Sequence, residues 1–284
     1  MWFVIILTIF ILVVIVGYLT KFRSKGIFQG LYDEAWFPVQ YHKELYIHYC
    51  HAQFFDNKSS KVILYCHGNY GNMSYYPHMP LLAKRLGISL LMFDYRGFGL
   101  SKGLPSTDTI KQDGCDVYDW LKQYYDEIDI IIWGESLGGS IAAWIASKNN
   151  PSKVVLVSTF SDIHDVIKMH GEGSYFIDAV VAVADILYDS LPIKKWIRDI
   201  SAPICIVHSL YDTYIPFTCA TINAKASSNV VEFISIAGDH TTPEMSSDNF
   251  ERLGKFLDID DTLCYTAVVT DFASVRENSP LCQL

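Results

Sequence analysis

Residues 2–19, WFVIILTIFILVVIVGYL, are apolar on every face and carry no charge. At about 1.5 Å per residue, these eighteen residues make a helix of about 27 Å, close to the ~30 Å hydrocarbon thickness of a bilayer. Beyond them the pattern becomes intermittent. Residues 45–54 alternate apolar and polar side chains and predict one early strand. KVILYC (61–66), SLLMF (89–93), IDIIIW (128–133), KVVLVS (153–158), ICIVH (204–208) and VVEFISI (230–236) are nearly continuous apolar runs. Such runs predict parallel strands buried on both faces. Between them, residues 76–86, 107–125, 137–147, 216–226 and 243–257 read as helices. Strand and helix in alternation imply right-handed crossovers and an α/β architecture, a mostly parallel central sheet with helices on both faces. Residues 161–200 are too long for an ordinary crossover. They hold an apolar stretch, YFIDAVVAVADILYDSL (175–191), that reads either as a small cap over a site or as a packing helix with irregular flanks. The expected organisation is a membrane anchor (1–20), a juxtamembrane linker (21–34), one α/β domain (35–258, cap 161–200) and a tail (259–284).

Composition and charge sharpen this further. The apolar start has no basic residues before it and no small-x-small cleavage site, so it reads as a retained single-pass anchor rather than a signal peptide. Lys21, Arg23 and Lys25 follow it directly, and the excess of positive charge on that side places the α/β domain in the cytosol. The seven cysteines are odd in number, scattered, and form no C-x-x-C pair, which fits reduced thiols and no zinc site. Two Asn-x-Ser sequons, at Asn57 and Asn72, point to the opposite, lumenal placement. The net charge of −9, with no basic stretch interleaved with aromatics, leaves no electrostatic footprint for nucleic acid.

The candidate chemistry centres on GESLG (134–138), which falls between a predicted buried strand and a predicted helix. A serine hydroxyl is a weak nucleophile until a base removes its proton. A sharp strand-to-helix turn lifts Ser136 above the sheet edge, and the flanking glycines let the chain fold tightly around it. The Leu137 N–H, at a helix N-terminus, is one expected oxyanion donor. The backbone N–H of Asn69, in the loop HGNYGN (67–72), is the other. Motif order in such hydrolases is Ser, then an acid, then His, each after a strand. Asp212, after ICIVH, is the expected acid; His240, after VVEFISI, is the expected base. Asp239 is a rival carboxylate, poorly placed to reach the Nδ1 of its neighbour. His67 precedes Ser136, so it reads as structural, and Asp94 with Arg96 reads as a pin for the loop they occupy.

Taken together, HGNYGN, FDYRGFGLSKGLPS (93–106), GESLGG, SLYDTYIP (209–216) and GDH (238–240) resemble the membrane-anchored α/β-hydrolase-domain-containing proteins, of the thirteen and seventeen types and their Bem-type relatives. The resemblance spans residues 62–240. It implies an α/β-hydrolase fold and a serine hydrolase whose triad falls on Ser136, Asp212 and His240. The expected substrate is a carboxylic ester or thioester, its lipid-like acyl character suggested by the anchor and the apolar stretch 175–191, and no metal or organic cofactor is expected. The seventeen type removes palmitate from proteins and attaches through an N-terminal cysteine cluster, whereas this chain has no cysteine before Cys50. Its one-span start is closer to the thirteen type. Two other readings stay open: a tethered scaffold of the same fold without catalysis, and a serine peptidase or amidase.

Overall fold

The computed structural model describes residues 28–30, 42–170 and 189–259. Its strands are β1 (Gln29–Gly30), β2 (Lys43–Ile47), β3 (Cys50–Phe55), β4 (Val62–Cys66), β5 (Tyr70–Gly71), β6 (Ser89–Phe93), β7 (Ile130–Glu135), β8 (Lys153–Val157), β9 (Ile204–Ser209), β10 (Val230–Gly238) and β11 (Pro243–Glu244). The helices are α1 (His78–Leu86), α2 (Thr107–Leu121), α3 (Leu137–Ala146), α4 (Ile163–His170), α5 (Ile193–Trp196), α6 (Phe217–Ala226) and α7 (Ser247–Phe256). Among the described residues nine strands form one sheet in the order β11-β10-β9-β8-β7-β4-β6-β3-β2. From β6 to β10 every neighbouring pair is parallel, while β2, β3 and β11 run antiparallel at the margins.

The continuous apolar runs occupy the middle of this sheet because both of its faces are covered. Every residue of β4 and of β6 is buried. Side chains pointing one way, such as Leu64, Phe93 and Ile132, join a core with α2 and α3; those pointing the other way, such as Ile63, Met92 and Trp133, pack with α1 and α7. The chain passes from β4 to β6 on one side, then returns to place β7 on the other side of β4. Strand order reverses there, and a crevice opens between the loops leaving the carboxyl ends of the two strands. Cys66 and Gly134 are partners in register at that point, so the loops after β4 and β7 face each other.

Two elements differ from the sequence expectation. Residues 45–54 are not one strand but parts of β2 and β3, joined through His48 and Tyr49, with Ile47 paired to Cys50. His48 takes φ 53°, a left-handed turn without glycine or asparagine to announce it. Residues 243–257 are not one helix. Gly238, at φ 80°, turns the chain so that Pro243–Glu244 pairs back on Ala237 and Gly238. The helix starts only at Ser247, where the Ser246 side chain accepts the Asn249 N–H at 3.3 Å. Within 161–200, α4 and α5 are described, while residues 171–188 lie outside the described residues, as do the expected anchor and all of the tail beyond Ile259. Among the described residues no helix is long and apolar enough to cross a membrane.

One close approach fixes the crevice. A Cβ added to Gly138 would lie 1.9 Å from the carbonyl oxygen of Cys66 and 2.6 Å from that of His67. Both obstacles are backbone, so neither can swing aside. Gly138→Ala is expected to cost upwards of about 3 kcal/mol and lower Tm by roughly 10 °C. Calorimetry checks this; a Tm within about 2 °C of wild type would show that β4 and α3 are not held at this separation.

Candidate active site

Ser136 sits at the junction of β7 and α3 with φ 54° and ψ −118°, outside the regions open to most residues. Strain of this kind costs roughly 1–3 kcal/mol and survives only where surrounding contacts impose it. Here the Ser136 N–H donates to Val157 O (2.9 Å) and its carbonyl accepts from Thr159 Oγ1 (2.7 Å). On the far side Gly134 is so close to Gly138 that a Cβ would lie 2.4 Å from the Gly138 carbonyl. The Ser136 side chain makes no capping hydrogen bond to the helix it precedes. Its Oγ lies instead 3.1 Å from Nε2 of His240, and Nδ1 of His240 lies 2.7 Å from Oδ2 of Asp212. The three residues expected from the sequence are thus brought into one hydrogen-bonded line from three different loops at the carboxyl edge.

Each partner in the line is held in turn. Oδ1 of Asp212 accepts the N–H groups of Tyr214 (2.9 Å) and Ile215 (2.7 Å), leaving Oδ2 to the imidazole. The Asp212 side chain is fully buried, while that of His240 is 15% exposed, so the line runs from the interior to the crevice mouth. His208, behind Asp212, bonds the Ile215 carbonyl at 2.8 Å; burial pushes its imidazole below the ordinary value and keeps it neutral beside the carboxylate. Asp239 does not touch the ring of His240. It accepts the Thr213 N–H (2.9 Å), the Thr213 hydroxyl (2.9 Å) and the His240 N–H (2.7 Å), tying the loops of Asp212 and His240 together. The ring of Tyr214 lies 5.6 Å from that of His240 at 30°.

The loop after β4 borders Ser136 directly. A Cβ on Gly68 would lie 3.4 Å from Ser136 Cβ and 2.6 Å from Tyr76 Oη, so the backbone at Gly68 approaches as nothing larger could. Asn69 follows in this loop, and Leu137 opens α3 on the facing side, where first-turn N–H groups have no helical partner. His67 is buried and bonds the Gly68 carbonyl through Nδ1 (2.7 Å); its Nε2 lies 3.3 Å from Oδ1 of Asp94. Asp94 also accepts the Met73 N–H at 2.7 Å. Burial would raise the Asp94 carboxyl, but the imidazoles of His51 and His67 and the Met73 N–H outweigh it and hold it below the usual carboxylate range. Arg96 pairs with Asp113, which accepts its backbone N–H at 2.8 Å. Asp94 and Arg96 therefore fasten the loop after β6 to its neighbours rather than facing Ser136.

Several contributors were not legible beforehand. Glu135, the variable position before the serine, accepts from Tyr65 Oη at 2.8 Å and lies 3.3 Å from Nε2 of His78. It thereby joins the residue before Ser136 to both ends of the segment that carries Gly68 and Asn69. Burial, with the charge of Glu135 added, pushes the Tyr65 and Tyr76 phenols well above their ordinary value, so both stay donors. No spacing marks Thr159, which lies beyond the next strand. Among the described residues no cluster of His, Cys, Asp and Glu could hold a metal ion.

Known proteins match this geometry at the level of fold. The α/β hydrolase fold family model matches residues 61–181. An uncharacterized protein of Mycobacterium tuberculosis is 28% identical over 190 residues, 66% of this chain and 65% of that protein. Lysophosphatidylserine lipase ABHD12 of Danio rerio is 33% identical over 176 residues, 56% of this chain and 45% of the lipase. The matches therefore span just under two thirds of the first relative and less than half of the second. An esterase of Pyrococcus furiosus superposes with a TM-score of 0.61 at 20% identity, covering 81% of this chain and 98% of the esterase. Alpha/beta hydrolase domain-containing protein 10 from mouse superposes at 0.53 and 18%, covering 76% and 96%. Sheet order, the strained serine at the strand–helix turn and these likenesses converge on one conclusion: the chain has the α/β-hydrolase fold and resembles the serine hydrolases built on it.

Proposed function

We propose that this protein is a serine hydrolase that cleaves the carboxylic ester of a lipid-like acyl substrate and is held at a membrane by residues 2–19. The observation that carries the proposal is the continuous line Ser136 Oγ – His240 Nε2, His240 Nδ1 – Asp212 Oδ2, at 3.1 and 2.7 Å, ending on a serine kept in a strained turn. With Asp212 accepting the Nδ1–H, Nε2 carries the free lone pair. It takes the Ser136 proton as Oγ attacks the ester carbonyl and returns it to the leaving alcohol. The backbone N–H groups of Asn69 and Leu137 receive the oxyanion. Water then gives a proton to His240 and attacks the acyl-enzyme, releasing the acid and restoring the Ser136 hydroxyl. No cofactor enters these steps.

The choice of an ester over a thioester or amide rests on the esterase and lipase names of the relatives, and the choice of lipid on the lysophosphatidylserine lipase. The uncharged run 2–19 suits a substrate that partitions into membranes. The start of α4, which follows β8 and Thr159 at the edge that carries Ser136, would supply part of the wall that receives the acyl chain.

A fluorophosphonate labels an activated serine far faster than an ordinary hydroxyl. Intact mass of the full chain should show a single adduct, and peptide mapping should put it on Ser136. Lysophosphatidylserine offered to the same preparation should release fatty acid. Absence of an adduct on folded protein would favour a scaffold that has kept the fold without catalysis.

A further inference from the structure

Residues 28–30 lie beside the site. Gln29 and Gly30 pair in parallel with Tyr70 and Gly71, in the loop that borders Ser136. Phe28 is buried, its ring 6.3 Å from that of Phe98 in the loop after β6. Gly30 fits so closely that a Cβ would lie 2.7 Å from the Gly97 carbonyl. The incoming chain is therefore fastened at the carboxyl edge of the sheet, the edge that carries Ser136, Asp212 and His240.

The uncharged run ends at Leu19, nine residue steps before Phe28. Nine steps reach at most about 30 Å, whereas a domain of this size is roughly 45 Å across. A tether fixed at the carboxyl edge is too short to pass around the body of the domain, so the amino edge cannot be turned toward the bilayer. The carboxyl edge also presents exposed apolar side chains on two separate loops: Leu100 (37%) and Leu104 (63%) after β6, Leu210 (52%) and Tyr211 (68%) after β9. Side chains of this type, apolar or carrying a single polar tip, suit the boundary between headgroups and acyl chains.

We infer that the carboxyl edge is a membrane-docking face: the loops bearing Leu100, Leu104, Leu210 and Tyr211 rest in the surface of the bilayer that holds residues 2–19, so Ser136 opens toward lipid rather than toward bulk water. The inference rests on the anchoring role proposed for that run. It adds an orientation, and with it a route by which a lipid ester enters the crevice without crossing water.

The test uses the full chain in phosphatidylcholine nanodiscs, with the photo-crosslinking residue p-benzoylphenylalanine placed at Leu104, at Tyr211 or at Ile128. Ile128 is 75% exposed at the opposite edge, just before β7. Fluorophosphonate labelling of Ser136 in each form checks that the fold and the nucleophile are intact, independently of docking. After irradiation, positions 104 and 211 should give at least about tenfold more phospholipid adduct than position 128, because only the carboxyl edge reaches the headgroup boundary. Equal yields at the three positions, or crosslinks from 104 to a second copy of the chain in place of lipid, would overturn the docking face while leaving the anchor intact. Failure of the chain to co-float with the discs would overturn the anchor and the docking face together, and Ser136 labelling would still report on the hydrolase reading.

Discussion

Ser136→Ala should lower ester hydrolysis by about 10⁵- to 10⁶-fold, the loss found when a triad nucleophile is removed from a site whose other members then have nothing to activate. The protein should nonetheless stay folded. Ser136 Oγ makes no bond to the helix it precedes; its described partner is Nε2 of His240. Alanine keeps the Cβ and with it the strained backbone, so stability should change by no more than about 0.5 kcal/mol. The measurement is paired: turnover of a chromogenic short-chain ester and a melting curve on the same preparation. A variant retaining more than about one hundredth of wild-type activity would remove Ser136 from the chemistry, since no triad serine is dispensable to that degree.

Asp212→Asn should cost about 10⁴-fold in kcat while leaving KM nearly unchanged. The amide matches the carboxylate in shape, and its oxygen can still accept the N–H groups of Tyr214 and Ile215. Its NH₂ then faces His240 and can only donate. The imidazole must present a lone pair at Nδ1, which leaves the proton on Nε2, pointing at Ser136. The base is intact but holds its proton on the wrong nitrogen. Asp239→Asn is the control. Asp239 bonds backbone and hydroxyl groups rather than the ring, so this variant should lose less than about tenfold, the scale of one or two neutral hydrogen bonds. Equal losses in the two variants would show that the acid is shared between them.

What could be read from the sequence followed from how locally each feature is determined. The six parallel strands were legible because burial on both faces leaves a continuous apolar run. The line of Ser136, Asp212 and His240 was legible because each residue follows such a run in a fixed order, and the structure brings the three within hydrogen-bond reach. The hairpin at His48–Tyr49 was not, because a left-handed histidine is imposed by the pairing of Ile47 with Cys50 rather than by turn chemistry. The short strand Pro243–Glu244 was hidden for a related reason: two residues carry no periodicity, and the apolar spacing of α7 ran on into them. Glu135, Thr159 and Thr213 act through partners 20 to 70 positions away, as in the bond from Tyr65 to Glu135. Only the folded chain brings such pairs together.

The link that Asp239 makes between Thr213 and His240 bears on how the protein would fail. Ser136 and the loop of Gly68 and Asn69 leave β7 and β4, deep in the sheet, whereas Asp212 and His240 leave β9 and β10, near the margin that, among the described residues, the two-residue β11 closes. Fluctuations that open a protein below its global unfolding free energy begin at margins of this kind and involve contiguous units. Because Asp239 joins the two marginal loops, one such opening would release Asp212 and His240 as a unit. Turnover would vanish in a single step, with Ser136 still seated in an ordered centre.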